Sequence, residues 1–163
     1  MAFLIKQSEK GKVNKRGENM DAGLLFYFAH RTMFCQKQIS DFISDFGVEI
    51  SEVLVCTKEE KLNAFMSNLL YSHTVVFVVC DTENSRPLCS KHIFNTLGIP
   101  IKQSGEPKGI LGLLGKTLTG YLIESHSQAI VLLPDKPNEI QLMLTPAFKR
   151  LGGKFKLKYV NCV

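Results

Sequence analysis

Three parts of this sequence bring together residue types that could do chemistry. The first is the polar run Asp81-Thr82-Glu83-Asn84-Ser85, which directly follows the apolar run Thr74-Val75-Val76-Phe77-Val78-Val79-Cys80. In open α/β sheets, ligands bind beyond the carboxyl ends of strands, where free backbone amides and helix N-termini point outward. A phosphate-bearing ligand would sit there, and Asp81, Glu83 and the more distant Asp135 are the acids that could hold Mg²⁺ beside it. The same run also suits a plain turn leading into a helix cap, because Asp, Asn and Ser are favoured in turns on backbone grounds alone. It has no glycine to let a phosphate approach the backbone closely, and its two acids would repel one.

The second is Gly115-Lys116-Thr117, which looks like the end of a nucleotide-binding P-loop. That motif needs a glycine where this chain has Ile110, so Lys116 reads as an exposed loop residue. The third is the set of five cysteines: Cys35, Cys56, Cys80, Cys89 and Cys162. Their odd number, with no CxxC pair and no histidine at ligand spacing, argues for reduced thiols and against a metal site. Cys35, Cys56 and Cys80 fall in apolar runs, as small core residues do. Cys89 precedes His92 by one helical turn, but a helical face explains that spacing without a nucleophile.

The elements that must position these residues follow from hydrophobic periodicity. Residues 23–29 form an apolar run of strand length, and Cys35, Ile39, Phe42, Ile43 and Phe46 then repeat at helical spacing before Gly47 stops them. Residues 48–56 read as a second strand, and Thr57 with Glu60 forms a capping-box pattern opening a helix with Leu62, Phe65, Met66 and Leu69 on one face. Residues 74–80 are the strongest strand and the natural centre of a sheet. A helix over 87–97 ends at Gly98 and Pro100. Residues 101–120, rich in glycine, read as loop with short extended segments, where Leu111, Leu113 and Leu114 could serve a contact between subunits. Residues 121–124 and 129–133 suggest a hairpin. A last helix carries Ile140, Met143, Leu144, Ala147 and Leu151, with Pro146 expected to kink or restart it and Thr145 as its cap.

Charge and length set further bounds. At 163 residues, 45% hydrophobic and 21% charged, the chain fits one globular domain over 23–163 after a basic lead-in over 1–22. The net charge of +5 is terminal: Lys6, Lys10, Lys12, Lys15 and Arg16 lie at one end, and Lys149, Arg150, Lys154, Lys156 and Lys158 at the other. A nucleic-acid module would want aromatics among these cations, which is the weaker reading. Phe155, Leu157 and Tyr159 alternate with lysines as on a half-buried strand guarding a sheet edge. No run is long enough to span a membrane and the start lacks a signal peptide's apolar region, so a cytoplasmic protein is expected.

The segment Ile130-Val131-Leu132-Leu133-Pro134-Asp135-Lys136-Pro137-Asn138-Glu139-Ile140 resembles the strand-turn-helix signature of the molybdopterin-binding domain shared by CinA and the MogA/MoaB proteins. In that family an apolar strand enters a Leu-Pro-Gly-x-Pro-x-Glu turn. Pro134, Pro137 and Glu139 match it, and Asp135 replaces its glycine. Gly120-Tyr121-Leu122-Ile123-Glu124 is similar to the strand before the signature, and the order of elements agrees over 32–152. The resemblance implies a three-layer α/β/α sandwich with a mostly parallel, mixed sheet. It also implies a pterin or nucleotide phosphate held with Mg²⁺, adenylyl transfer or pyrophosphate cleavage, and assembly into a homo-oligomer. The family's Gly-Gly-x-Gly-Pro-Thr-x-Asp-Asp loop falls on residues 80–88 and its Gly-Asp-Glu turn near 29–32, and neither is present here. The expectation is therefore a catalytically degraded domain serving as a ligand- or partner-binding scaffold. Its candidate ligand residues are Asp81, Thr82, Asn84, Ser85, Pro134, Asp135 and Glu139, with no certain cofactor. A working Mg²⁺-dependent pyrophosphatase or molybdopterin adenylyltransferase is the alternative.

Overall fold

The computed structural model describes residues 20–160. Cys162 and all but the last three residues of the basic lead-in lie outside them. Strand β1 (Met20–Tyr27), helix α1 (Thr32–Ser44), strand β2 (Val48–Cys56), helix α2 (Leu62–Ser72) and strand β3 (Val75–Cys80) alternate as the periodicity suggests. A small hairpin follows, β4 (Thr82–Glu83) and β5 (Arg86–Pro87), then helix α3 (Ser90–Thr96). Strands β6 (Leu111–Leu114), β7 (Thr119–Glu124) and β8 (Ala129–Pro134) precede the last helix, α4 (Pro137–Lys154).

The main sheet has the order β2-β1-β3-β8-β7-β6. Its first four strands are parallel, while β7 runs antiparallel to both β8 and β6. Strand β3 lies between β1 and β8, with both faces covered. Val75, Phe77 and Val79 pack into one layer with Ile39 and Ile43 of α1 and with Met143 and Phe148 of α4. Val76, Val78 and Cys80 pack into the other, with Leu69 of α2 and Ile93 of α3. Successive strand residues face opposite sides, so a strand covered on both must be apolar throughout. Truncating Phe77 to alanine in such a core typically costs about 3–5 kcal/mol.

The outer parts of the chain correct several expectations. The first strand begins at Met20, ahead of residue 23. The capping box at Thr57 and Glu60 does not form: a 3₁₀ turn at Glu59–Lys61 leads into α2, without a side-chain cap. Helix α4 continues unbroken through Pro146, and Thr145 does not cap a new helix but donates to Gln141 O at 3.5 Å. Residues 155–160 are not a strand. Lys156 takes φ 54° and Leu157 N–H donates to Gly152 O at 2.9 Å, which closes the end of α4. Phe155 and Leu157 still face the core, so the alternation is real although no sheet edge is involved. No helix among the described residues is long and apolar enough to cross a membrane.

Candidate functional site

The carboxyl ends of β1, β3 and β8 meet where a ligand would be held. Asp135 follows β8 directly and is only 4% exposed. Its amide donates to Cys80 O at 2.9 Å, which fixes the residue over the end of β3. Its carboxylate accepts from the His30 amide through Oδ2, from the Arg31 amide at 3.0 and 3.1 Å, and from Cys35 Sγ at 3.4 Å. Helix α1 needs this help, because its cap position is Arg31, with no capping side chain, and its first turn has no acid. A carboxylate at a helix N-terminus stabilises by roughly 0.3–1 kcal/mol, and by about 2 kcal/mol when partly buried. Burial, and then the hydrogen bond to Asp135 and its negative charge, push the Cys35 thiol up to about 12. Cys35 is thus an inert core thiol.

Glu139 is committed in the same way, to another loop. It lies in the first turn of α4, 8% exposed. Its Oε2 accepts from the Lys116 amide at 2.5 Å, and its Oε1 accepts from the Thr117 amide at 3.0 Å and the Thr117 hydroxyl at 2.9 Å. Burial opposes the charge, yet the Thr117 hydroxyl and the amides of Thr117, Lys116 and Leu118 outweigh it and hold the carboxyl below its usual range. A Cβ at residue 115 would sit 1.8 Å from Glu139 Oε2, so the turn between β6 and β7 can close around the carboxylate only with Gly115 there. The stretch Gly115-Lys116-Thr117 therefore does bind an anion through its backbone, and that anion is a side chain of the same molecule.

Of the remaining candidates, Pro134 and Asp81 adjoin Asp135, through Cys80 and His30, while Ser85 leads away toward β7. Asp81 accepts from the Thr82 amide at 2.8 Å and stands 3.5 Å from His30 Nε2, an exposed pair that contributes little. The run is not a turn opening a helix. Asn84 and Ser85, at φ 52° and 64°, are the exposed tip of the β4–β5 hairpin, and α3 starts only at Ser90. Positive φ at both central residues marks the turn type that suits a two-residue hairpin. The tip leans toward β7, where Ser85 O accepts from the Thr119 amide at 2.9 Å, and Arg86 donates to Gly105 O and to Glu106 at 2.5 Å. Pro134 is buried in the sheet opposite Cys80.

Among the described residues no three His, Cys, Asp or Glu side chains are grouped to hold a metal ion. Two hollows lie elsewhere: one of about 60 Å³ between α2 and α3, and an open one of about 420 Å³ lined by Glu124, Pro146, Lys149, Arg150 and Lys154. In the second, Arg150 is paired with Glu124, and Lys154 lies 3.9 Å from the same carboxylate, which weakens it as an anion site. Leu113 is buried under α4 rather than free for a subunit contact, whereas Leu111 and Leu114 are exposed on the edge strand. His92 faces Asn63, not Cys89, and Cys89 Sγ lies 2.9 Å from Cys80 Sγ. Sequence reasoning missed both amide pairs that receive the carboxylates. The visible signal for one was the rejected Gly-Lys-Thr stretch.

Comparison with known proteins supports the fold. No family model matches the sequence, and no curated protein does so. Among solved structures, CinA of Thermoplasma acidophilum matches with a TM-score of 0.63 and 11% identity, over 81% of this chain and 97% of that one. A putative molybdenum cofactor biosynthesis protein of Corynebacterium diphtheriae matches with a TM-score of 0.58 and 13% identity, over 85% and 97% of the two chains. MoaB of Thermus thermophilus, a molybdopterin biosynthesis enzyme, matches with a TM-score of 0.53 and 12% identity, over 86% and 99%. The chain has the α/β fold of these proteins, as the sequence resemblance implied.

Proposed function

We propose that this chain is a catalytically inactive member of the molybdopterin-binding type of domain, keeping the fold as a scaffold for a partner or a ligand. One observation carries the reading: both carboxylates of the surviving turn, Asp135 and Glu139, are fully engaged by amides of their own chain. With four contacts to the Asp135 carboxylate, three to that of Glu139 and both residues buried, little capacity is left for a metal ion or a substrate. The amides they occupy are equally unavailable to a phosphate. Asp81 and Glu83 are left as acids near the carboxyl ends of the strands, on a hairpin whose tip is tied to β7. A pterin or nucleotide with Mg²⁺ would find an incomplete set of donors there. The exposed Leu111 and Leu114 on edge strand β6 are the natural contact for a second copy or another protein. The described cysteines are all free thiols, in keeping with a cytoplasmic setting.

The test is turnover. The full chain, with Mg²⁺, is incubated with ADP-ribose and separately with molybdopterin and ATP. No product above background is expected in either case. Turnover that Asp81→Ala abolishes would replace this reading with that of a working pyrophosphatase or adenylyltransferase.

A further inference from the structure

The hairpin over residues 81–88 has a second property, which depends on its base rather than its tip. Thr82 pairs with Pro87 and Glu83 with Arg86, and the Leu88 amide donates to Asp81 O at 2.7 Å. Beyond Pro87 the chain turns, and Cys89, at φ −77° and ψ −6°, caps the start of α3 against the last residue of β3, Cys80. The side chains use that proximity: the two sulfurs lie 2.9 Å apart, and the Cys89 amide points at Cys80 Sγ at 3.5 Å. Closing the sulfurs to bonding distance, about 2.05 Å, requires less than an ångström of movement. No other pair of the described cysteines is in contact, since Cys35 faces Asp135 and Cys56 faces Lys58 O.

We infer that Cys80 and Cys89 are a dithiol–disulfide couple that staples the base of the 81–88 hairpin when oxidised by a low-molecular-weight disulfide. One thiol gives up its proton and attacks the small disulfide, forming a mixed disulfide and releasing one small thiol. The second protein thiol, also deprotonated, attacks the protein-side sulfur and expels the other small thiol. Two protein thiols are oxidised, one small disulfide is reduced, and the two protons end on the two released thiols. Both sulfurs are buried, and burial with the neighbouring Cys80 raises the Cys89 pKa. Reaction therefore requires transient opening of the hairpin and is slow. Once formed, the bond closes a short loop at the edge where β3 ends. It links the last residue of β3 to the residue that opens α3.

The experiment uses the full chain, folded, at neutral pH. It is incubated with oxidised glutathione, quenched in acid, alkylated under denaturing conditions and mapped by mass spectrometry. The expected product is a Cys80–Cys89 linked peptide lighter by about 2 Da, the two hydrogens lost. It should be accompanied by a rise in Tm of roughly 5–10 °C for a loop of this length, reversed by dithiothreitol. Cys89→Ala should lose the linked peptide and the Tm rise together. Mapping of the unsubstituted chain decides the matter even if that variant does not fold. Recovery of Cys80 and Cys89 both fully alkylated after prolonged oxidation would overturn the inference, as would a linked peptide joining either of them to a different cysteine.

Discussion

Replacing Glu139 by glutamine probes the clamp on the β6–β7 turn more sharply than any other single change. Glutamine keeps the length and one acceptor oxygen but puts an amide nitrogen where Glu139 Oε2 accepts from the Lys116 amide. That leaves two donors facing each other at 2.5 Å. The interactions with Thr117 lose their charge assistance even if they persist. A hydrogen bond to a charged group contributes about 1.5–3 kcal/mol, and a buried donor left unpaired costs about 1–3 kcal/mol. The loss should therefore be about 2–3 kcal/mol, against roughly 0.3–1 kcal/mol for an exposed acid that only faces a helix dipole. In a chain of this size that lowers Tm by roughly 4–12 °C, measurable by circular dichroism at neutral pH. The acid limb gives an independent check. Because folding lowers the Glu139 pKa, its stabilisation is complete above the ordinary value of 4.5 and disappears as pH falls through the lower folded value. Wild-type stability should decline over that window by more than the variant's does. A loss below about 0.5 kcal/mol, with superimposable acid limbs, would refute the clamp and return Glu139 to the pool of ligand-binding acids.

The other predictions follow from the same contacts. Gly115→Ala should displace the Glu139 carboxylate and cost about 2 kcal/mol or more, and combined with Glu139→Gln it should cost clearly less than the two separate losses together. Full additivity in a urea-denaturation cycle would show that the two residues do not share a contact. Asp135→Ala should cost about 1–2 kcal/mol through the lost cap of α1, and should lower the Cys35 pKa from about 12, seen as faster alkylation at a given pH. An unchanged alkylation profile would mean that burial alone sets that thiol. Pro146→Ala, at an exposed position inside α4, should restore a helix amide and raise stability by up to about 3 kcal/mol. A fall in stability would show that the ring makes a contact worth more than the missing hydrogen bond.

How much could be read in advance depended on whether a feature is local. Val75–Cys80, the amphipathic repeat of α1 and its stop at Gly47, which takes φ 71°, are written in neighbouring residues, and the structure has them as read. The 81–88 hairpin escaped because its turn is Asn84-Ser85 rather than the Asn-Gly that signals this geometry, and because one strand contains Pro87. The C-terminal alternation gave the right inward faces for Phe155 and Leu157, but a left-handed turn after a helix can produce that pattern as well as a strand can. The roles of Asp135 and Glu139 were out of reach. Their partners are His30, Arg31, Lys116 and Thr117, more than twenty residues away in the chain, and only the closed sheet brings them together. A glutamate at the start of a helix has a sufficient local explanation, which concealed the tertiary one.

The occupancy of the two amide pairs can be observed directly. In a ¹H–¹⁵N NMR titration of the full chain with pyrophosphate, and then with Mg²⁺ and ATP, the amide signals of His30, Arg31, Lys116 and Thr117 report on whether a phosphate can take the positions that the two carboxylates occupy. If Asp135 and Glu139 fill those positions, none of the four signals shifts in a saturable way at millimolar ligand. Saturating shifts at either pair would contradict the reading of a site closed by its own carboxylates, above all if the Asp135 or Glu139 side-chain signals moved in step.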